Sequence, residues 1–415
     1  MIREIPRPIS SKPPAAAPAG VMPAPPRASV AAAAGERALR ILMIVESAAG
    51  GTGRHVLDLA EGMAARGHDV HLIYSTGRID RFFQARLAAL CGVRHAPLAM
   101  RTSIHPSDVA VVRAVRRYLQ SHGPLDVIHG HSSKGGAIAR LAALGTKAQA
   151  IYTLHGLIMM DPTLHPWKRA LYLAIERTLS LRTQRIIAVS PEEGRAATRI
   201  GLGESRVIVV PNGVGEEPLV PRARARQELG LPDNAVVVGF IGRLVEQKAP
   251  EMLLRAFARA VATSQRLRLA MVGSGPLAQP LCELAVELNI AHRVLWLGER
   301  DARTVISAFD IFAISSRKEG FPYVVLEAMA AGLPVVATSS SAVELLVQPG
   351  VNGVVVPPDD TEMFSDALTA LVTDPEWRAA CGCASRRLVS RFTIDAMVEG
   401  TLGAYGLLQP TGRVS

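Results

Sequence analysis

Residues 40–74 read RILMIVESAAGGTGRHVLDLAEGMAARGHDVHLIY, and this stretch decides the fold class. ILMIVE (41–46) is an unbroken apolar run of strand length, SAAGGTG (47–53) is a glycine turn, and DVHLIY (69–74) is a second strand. Between them Val56, Leu59, Ala60 and Met63 recur at helical spacing, so the intervening segment is a helix with one apolar face. Strand, helix, strand is a βαβ start. Strands that follow such helices imply a parallel sheet with helices covering it.

The texture continues along the chain. LDVIHGHSS (125–133), AIYTLHG (150–156), RIIAVS (185–190) and RVIVVPNGV (206–214) are further strands separated by helical segments. EEPLVPRARARQELGLPDNA (216–235) then interrupts with three prolines and a mixed charge cluster. A second series follows in VVVGFIG (236–242), LRLAMVGSG (267–275), RVLWLGE (293–299), IFAISS (311–316), PVVAT (334–338) and GVVVPP (353–358). The fold class is therefore α/β, with two doubly wound Rossmann-like units in succession. The expected organisation is a Pro/Ala-rich disordered leader or misassigned start over 1–38, a first domain over 39–215 and a linker over 216–234. A second domain over 235–395 follows, and a C-terminal helical stretch over 396–415 packs back toward the first. Ligands of open α/β sheets bind outside the carboxyl ends of the strands, so two such units facing a central cleft are expected to bind there.

Composition narrows the class. At 415 residues, with 49% hydrophobic, 20% charged and 4% aromatic residues, the chain reads as a globular protein large enough for two cores. No run of about 18 uncharged apolar residues is present, so no membrane-spanning helix is expected. The four cysteines are scattered, and the one close pair, Cys381-Gly-Cys383, lacks C-x-x-C spacing; reduced thiols in the cytoplasm are expected. Charge is divided unevenly: Met1–Gly215 carries 27 Lys/Arg against 14 Asp/Glu, whereas Glu216–Ser415 carries 19 against 22. The basic first half points to an acidic partner, an anionic membrane surface or nucleic acid. Nucleic acid is disfavoured because no helix-turn-helix or aromatic–basic platform is apparent.

SSRKEGFPYVVLEAMAAGLPVVAT (315–338) holds the candidate chemistry of the second unit. Pro322 suits the first turn of a helix that Gly332 ends, which places Glu319 beside the helix N-terminus and Glu327 inside the helix. The amides of Gly320 and Phe321 would face the same space and bind anionic or hydroxyl oxygens. Two carboxylates there suit a polyol ligand; the plain alternative is a helix cap and a solvated helical residue. This string resembles the E-x7-E region of the retaining GT-B glycosyltransferases of family 4. The resemblance implies that Glu319 contacts the transferred sugar, that Gly320, Phe321 and Pro322 hold it, and that Glu327 binds the nucleotide ribose.

GFIGRLVEQKAPEMLLRAF (239–257) resembles that family's G-R-L-x-x-x-K-G segment and so implies diphosphate contacts for Arg243 and Lys248, with Ala249 where glycine is usual. Fixed cations can neutralise a departing diphosphate, and the chain contains no D-x-D triplet of the kind that holds a metal in other sugar transferases. MVGSGPL (271–277) and LWLGERD (295–301) resemble donor-binding turns, implying roles for Gly273, Gly275, Gly298 and Arg300; tight turns need glycine in any case. In the first unit the resemblance implies that Gly50 and Gly51 close over the donor, that His131 lies near the transferred sugar, and that His155 lies on the acceptor side. His129 and His131 form an H-x-H that also suggests zinc, but the sequence offers no third ligand cluster beside it.

HPWKRALYLAIERTLSLRTQR (165–185) combines Trp167, Leu171, Ala174 and Ile175 with five basic residues and reads either as an interfacial helix or as an ordinary amphipathic one. The function implied by the resemblance is a retaining, metal-independent glycosyltransferase. It moves a hexosyl unit from a UDP- or GDP-sugar to a cell-surface glycan or polyprenyl-linked acceptor, as in exopolysaccharide or lipopolysaccharide assembly, at the inner face of the membrane. The alternatives are a nucleotide-sugar epimerase or sugar phosphorylase on the same frame, or a non-catalytic two-lobed sugar-binding protein. A nicotinamide dehydrogenase is disfavoured because Val56 stands where the third glycine of G-x-G-x-x-G belongs.

Overall fold

The structure, a computed structural model, describes residues 37–160, 164–215, 218–340 and 342–407. All but the last two residues of the Pro/Ala-rich leader, and the end of the C-terminal segment from residue 408, lie outside the described residues. The chain forms two compact units. The described residues up to Gly215, with Gly320–Tyr323 and the segment from Phe392 onward, make the first; the remainder up to Glu319 and Val324–Arg391 make the second.

The first unit is built on β1 (Arg40–Val45), β2 (Asp69–Tyr74), β3 (Val93–Pro97), β4 (Val127–His131), β5 (Gln149–Thr153), β6 (Arg185–Ala188) and β7 (Val207–Val209). They form one seven-stranded parallel sheet in the order β3-β2-β1-β4-β5-β6-β7. Period-two alternation sends Ile41, Met43 and Val45 to one face and Leu42 and Ile44 to the other. The first face packs on Val56, Leu59 and Met63 of the helix Gly50–Ala65 and on Val398 and Leu402 of the helix Ile394–Tyr405. The second packs on Val111 and Val115 of one helix and Ile138 and Ala139 of another. Each such side chain contributes about 1.5–3 kcal/mol when fully buried. β3 has no counterpart in the sequence reading: VRHAP carries one buried residue, Val93, because it is an edge of the sheet.

One ion pair lies wholly inside this unit. Arg140, on the helix Ser132–Ala143, donates to Glu176 Oε2 at 2.8 Å and to Gly136 O at 2.9 Å, with its guanidinium 4.2 Å over the Tyr152 ring. Glu176 belongs to the helix Pro166–Ser180, so the pair ties two helices together beneath the surface.

The second unit is built on β8 (Val236–Ile241), β9 (Leu267–Val272), β10 (Val294–Gly298), β11 (Ile311–Ile314), β12 (Val335–Thr338) and β13 (Gly353–Val356). The six strands are parallel, in the order β10-β9-β8-β11-β12-β13. Leu253, Phe257, Phe364 and Leu368 lead the core beside them. In the proline-rich stretch after residue 216, the helix Arg222–Glu228 is anchored by Arg226, which donates to Asp310 Oδ2 at 2.7 Å, and by Arg222, which donates to Asp310 Oδ1 at 2.6 Å. No described helix is long and apolar enough to cross a membrane. All four cysteines are free thiols.

Candidate functional site

Each sheet reverses its strand order once, between β1 and β4 in the first unit and between β8 and β11 in the second. The carboxyl ends of the strands at such a reversal are where open α/β sheets bind ligands, because neighbouring loops part to opposite sides there. The candidate residues fall at these two places.

In the second unit β8 leads through Gly242 and Arg243 into a single turn of 3-10 helix, Glu246–Lys248, and then into the helix Pro250–Ala260. Ala249 links them with φ 42° and ψ 49°, a left-handed conformation that costs a residue with a Cβ about 1–2 kcal/mol, which explains why glycine suits this position. β11 leads into the loop 315–322, and that loop is stitched to the turn after β8. Ser315 Oγ donates to Lys248 O at 2.8 Å, Arg317 N to Gln247 O at 2.9 Å, Gln247 Nε2 to Lys318 O at 3.0 Å, and Arg317 Nη1 to Glu246 O at 2.6 Å. The frame brings Lys248 Nζ within 2.5 Å of Glu319 Oε1, with only 17% and 8% of the two side chains exposed. The sequence reading gave these two residues separate duties, one on the diphosphate and one on the sugar; the fold joins them in a charge-assisted hydrogen bond. Arg243 is exposed, with no ion-pair partner among the described residues.

Glu327 lies half-buried on the helix Tyr323–Ala330, which ends as expected at Gly332 with φ 76°. Gly273 and Gly275, with φ of 135° and 156°, follow β9 and lie against the turn after β8. A Cβ on Gly273 would sit 1.9 Å from Gly242 O, and one on Gly275 2.4 Å from Leu244 O, so close backbone packing alone demands glycine at both. Gly298 O accepts from Gly273 N at 2.8 Å, placing the two turns side by side. Arg300 is exposed and donates to Leu297 O at 3.2 Å.

In the first unit Gly50 and Gly51 form the first turn of a helix rather than a free loop, and Gly50 N donates to Asp80 Oδ2 at 2.6 Å. Of the chain Gly320–Tyr323, which belongs with this unit, Gly320 is exposed while Phe321 and Pro322 are buried. The Phe321 ring lies 5.7 Å from that of Phe392, and Phe321 O accepts from Asn212 Nδ2 at 3.0 Å.

Four histidines gather at the ends of β4 and β5. His129 is fully committed: Tyr405 Oη lies 2.9 Å from Nδ1 and Thr153 Oγ1 2.7 Å from Nε2, so it is a structural residue. His131, His155 and His55 form a second group, their ligand nitrogens within 4.8 Å of one another. His131 Nδ1 is 3.2 Å from His155 Nε2, and His55 Nδ1 is 2.9 Å from Asn212 Oδ1. Burial lowers the pKa of His55 to about 4, against the Asn212 hydrogen bond that raises it. Burial, with neighbouring imidazoles, holds His131 and His155 well below the ordinary histidine value. His155 has φ 53°, and the loop it opens is pinned where Gly156 N donates to Glu193 Oε1 at 2.5 Å and Val189 N to Glu193 Oε2 at 2.8 Å. His55, Asn212 and Glu193 escaped the sequence reading. The signals were present: a histidine one turn into the helix after the glycine turn, a polar residue in PNGV after a buried strand, and the S-x-x-E capping box Ser190–Glu193. Of the H-x-H pair only His131 gains His55 and His155 as neighbours; His129 does not.

Similarity to known proteins agrees with this geometry. Residues 221–388 match the model "Glycosyl transferases group 1", and residues 50–213 match "Glycosyl transferase 4-like domain". The chain is 32% identical over 383 residues to a D-inositol 3-phosphate glycosyltransferase of Saccharomonospora viridis, covering 86% of this chain and 89% of that one. A solved structure from Anabaena, HepE in complex with UDP and glucose, superposes with a TM-score of 0.76 at 21% identity, covering 88% of this chain and 98% of that one. A sucrose-phosphate synthase from Thermosynechococcus elongatus superposes with a TM-score of 0.75 at 23% identity, covering 89% and 98%. Two doubly wound parallel sheets in succession, two family models that together span both units, and a relative similar over most of its length lead to one conclusion: the chain has the GT-B fold and belongs to the group 1, family 4 glycosyltransferases.

Proposed function

We propose that the protein transfers a hexosyl unit, with retention at the anomeric carbon, from a UDP- or GDP-sugar to a glycan or polyprenyl-linked acceptor. The observation that carries this reading is the Lys248–Glu319 pair at the β8/β11 reversal, an ammonium and a carboxylate held 2.5 Å apart on a hydrogen-bonded frame. As the bond from the anomeric carbon to the diphosphate oxygen breaks, negative charge grows on the leaving group; Lys248 is a cation held in advance to meet it, and the exposed Arg243 is a second cation that swings onto it. Glu319 accepts hydrogen bonds from the sugar hydroxyls and keeps Lys248 in place. Glu327 accepts from the ribose, while Gly273, Gly275, Gly298 and Arg300 line the nucleotide. The new bond forms between the acceptor oxygen and the same face of the anomeric carbon, and the acceptor proton leaves with the diphosphate. His131 stands beside the sugar and His155 on the acceptor side. The family membership and the UDP and glucose bound in the Anabaena structure support a nucleotide-sugar donor.

Steady-state transfer by Lys248→Ala tests the reading: kcat is expected to fall about 10²–10³-fold with the fold intact, as when one preorganised donor to developing negative charge is lost. A Lys248→Ala enzyme that transfers at the parent rate would end the proposal.

A second acceptor class has its own support, because the Saccharomonospora relative is named for D-inositol 3-phosphate. A phosphorylated cyclitol and a lipid-linked glycan are separated by offering each with the donor and identifying the product. The lipid-linked reading draws on the helix Pro166–Ser180. Trp167, Leu171 and, just past its end, Leu181 are 58%, 43% and 71% exposed, and Lys168, Arg169, Arg177, Arg182 and Arg185 are exposed around them. Trp167, Leu171, Ala174 and Leu181 recur at helical spacing, an apolar stripe with a basic border suited to an anionic leaflet, where each basic residue contributes about 1 kcal/mol. Co-sedimentation with phosphatidylglycerol vesicles is expected for the parent and reduced in a Trp167→Ala, Leu171→Ala variant.

A further inference from the structure

The histidine group at the end of β4 has a use beyond binding sugar hydroxyls. Consider first what each ring nitrogen does. Asn212 Nδ2 donates to Phe321 O at 3.0 Å, which fixes the amide so that Oδ1 faces His55 Nδ1 at 2.9 Å. An amide oxygen only accepts, so His55 carries its proton on Nδ1 and presents a bare lone pair at Nε2. That Nε2 is buried and without a hydrogen-bond partner in the protein, as is His131 Nε2. The two residues are 1% and 0% exposed, and it is the other nitrogen of His131, Nδ1, that faces His155. An unpaired polar atom in such a place is left desolvated without compensation, a cost that a bound ligand relieves.

The arrangement matches what a metal requires. Zinc bound by three histidines keeps Zn–N distances of about 2.0–2.1 Å, which in tetrahedral geometry sets the nitrogens about 3.4 Å apart. His131 Nδ1 and His155 Nε2 are 3.2 Å apart in a hydrogen bond whose proton moves to the far nitrogen of its ring when a metal takes its place, and the ligand nitrogens of all three rings lie within 4.8 Å. Ligating histidines characteristically donate their other N–H to a carbonyl or carboxylate that orients the ring, the relation Asn212 bears to His55. His129, by contrast, has both nitrogens engaged and stands outside the group. His155 is half-buried and followed by the exposed Gly156, which leaves an approach from solvent.

We propose that His55, His131 and His155 form a binding site for a divalent transition metal, zinc above all, with Asn212 orienting His55 and one coordination position left open. The site is distinct in kind from the Lys248–Glu319 pair: it offers neutral nitrogen donors and so selects a soft or borderline cation over magnesium.

The test is titration of the untagged full chain with Zn2+ by calorimetry and with Co2+ by visible absorption, where four-coordinate cobalt gives intense d–d bands. One equivalent is expected to bind. His55→Ala and, separately, His155→Ala are each expected to lose at least about 100-fold in affinity, while Asn212→Ala keeps the stoichiometry and loses about 10–100-fold. Circular dichroism checks each variant's fold. His155→Ala alters a loop residue, so it serves if His55→Ala does not fold. Absence of one-equivalent binding by the parent, or binding unchanged in a folded His155→Ala protein, overturns the proposal. Because the readout is metal bound rather than sugar transferred, failure here leaves the transferase reading standing, and failure of Lys248→Ala to slow transfer leaves the metal site standing.

Discussion

The two sheets reverse their strand order at corresponding places, yet what stands there differs in electrostatic kind. At β8/β11 the loops hold an ammonium and a carboxylate 2.5 Å apart. At β1/β4 the strand ends hold imidazoles that burial keeps neutral. The first arrangement can answer charge that appears during a reaction; the second can offer lone pairs and hydroxyl contacts without imposing a field. One topology thus delivers two chemistries because the loops, not the strands, choose the residue types.

The comparison breaks most easily at the charged reversal. If Lys248 serves the reaction itself, Lys248→Ala is expected to lower kcat about 10²–10³-fold, and the double substitution Lys248→Ala, Glu319→Ala, which also removes the carboxylate facing the sugar, is expected to be slower still. Next in size is Gly273→Ala, whose Cβ meets Gly242 O at 1.9 Å and whose backbone has φ 135°. A loss of about 1–3 kcal/mol is expected in urea unfolding. Gly298→Ala, where φ is 61° but a Cβ meets nothing within 4 Å, is expected to lose only about 1 kcal/mol.

Within the histidines, His129→Phe leaves Tyr405 Oη and Thr153 Oγ1 without their buried partner. It is expected to cost about 1–3 kcal/mol of stability. His131→Asn, aimed at the candidate site, is expected to lower kcat with a smaller stability change, and unfolding curves measured beside kinetics separate the two.

The smallest effect is one of pH. Burial lowers the pKa of His71 despite the opposing pull of Asp69, which lies 3.2 Å from Nε2. Asp69 is itself lowered: burial would raise it, but hydrogen bonds from Arg40 and His71 and the charges of His71 and Arg94 outweigh that. The unfolded chain therefore binds more protons than the folded one, first at His71 as pH falls below about 6.5 and then at Asp69 below about 3.9. Stability of the first unit is expected to decline in that order on acidification. His71→Gln is expected to flatten the earlier part of the decline, as measured by hydrogen exchange resolved to β2.

The sequence reading reached the strands through their composition. ILMIV and VVVGFI are buried on both faces and so are apolar without interruption, and LRLAMV breaks its run only at the half-buried Arg268. β3 escaped because an edge strand needs no such run: Arg94, His95 and Pro97 face solvent. At the site, the E-G-F-P string and the R-L-x-x-x-K spacing pointed to a charged pocket because they are local in sequence. The Lys248–Glu319 bond was not legible, since 71 residues separate its ends. His55 was hidden in a different way: one turn into an amphipathic helix, it reads as part of a packed face, and only the approach of β4 and β5 gives it neighbours. His129 and His131, two apart on one strand, share a face and look equivalent; Tyr405, 276 residues from His129, makes them unequal.

The buried pair of Arg140 and Glu176 bears on how the exposed end of the helix Pro166–Ser180 behaves under load. A salt bridge out of contact with water adds little net stability but strongly penalises any displacement that separates its members. Glu176 therefore acts as a rivet, and the segment carrying Trp167 is a strut instead of a tether. Its far anchorage is the helix that starts at Ser132, the residue after His131. Force applied to the strut would reach the histidine group by a path of rigid elements, so pulling or docking at Trp167 should register in the chemical shifts of those imidazoles.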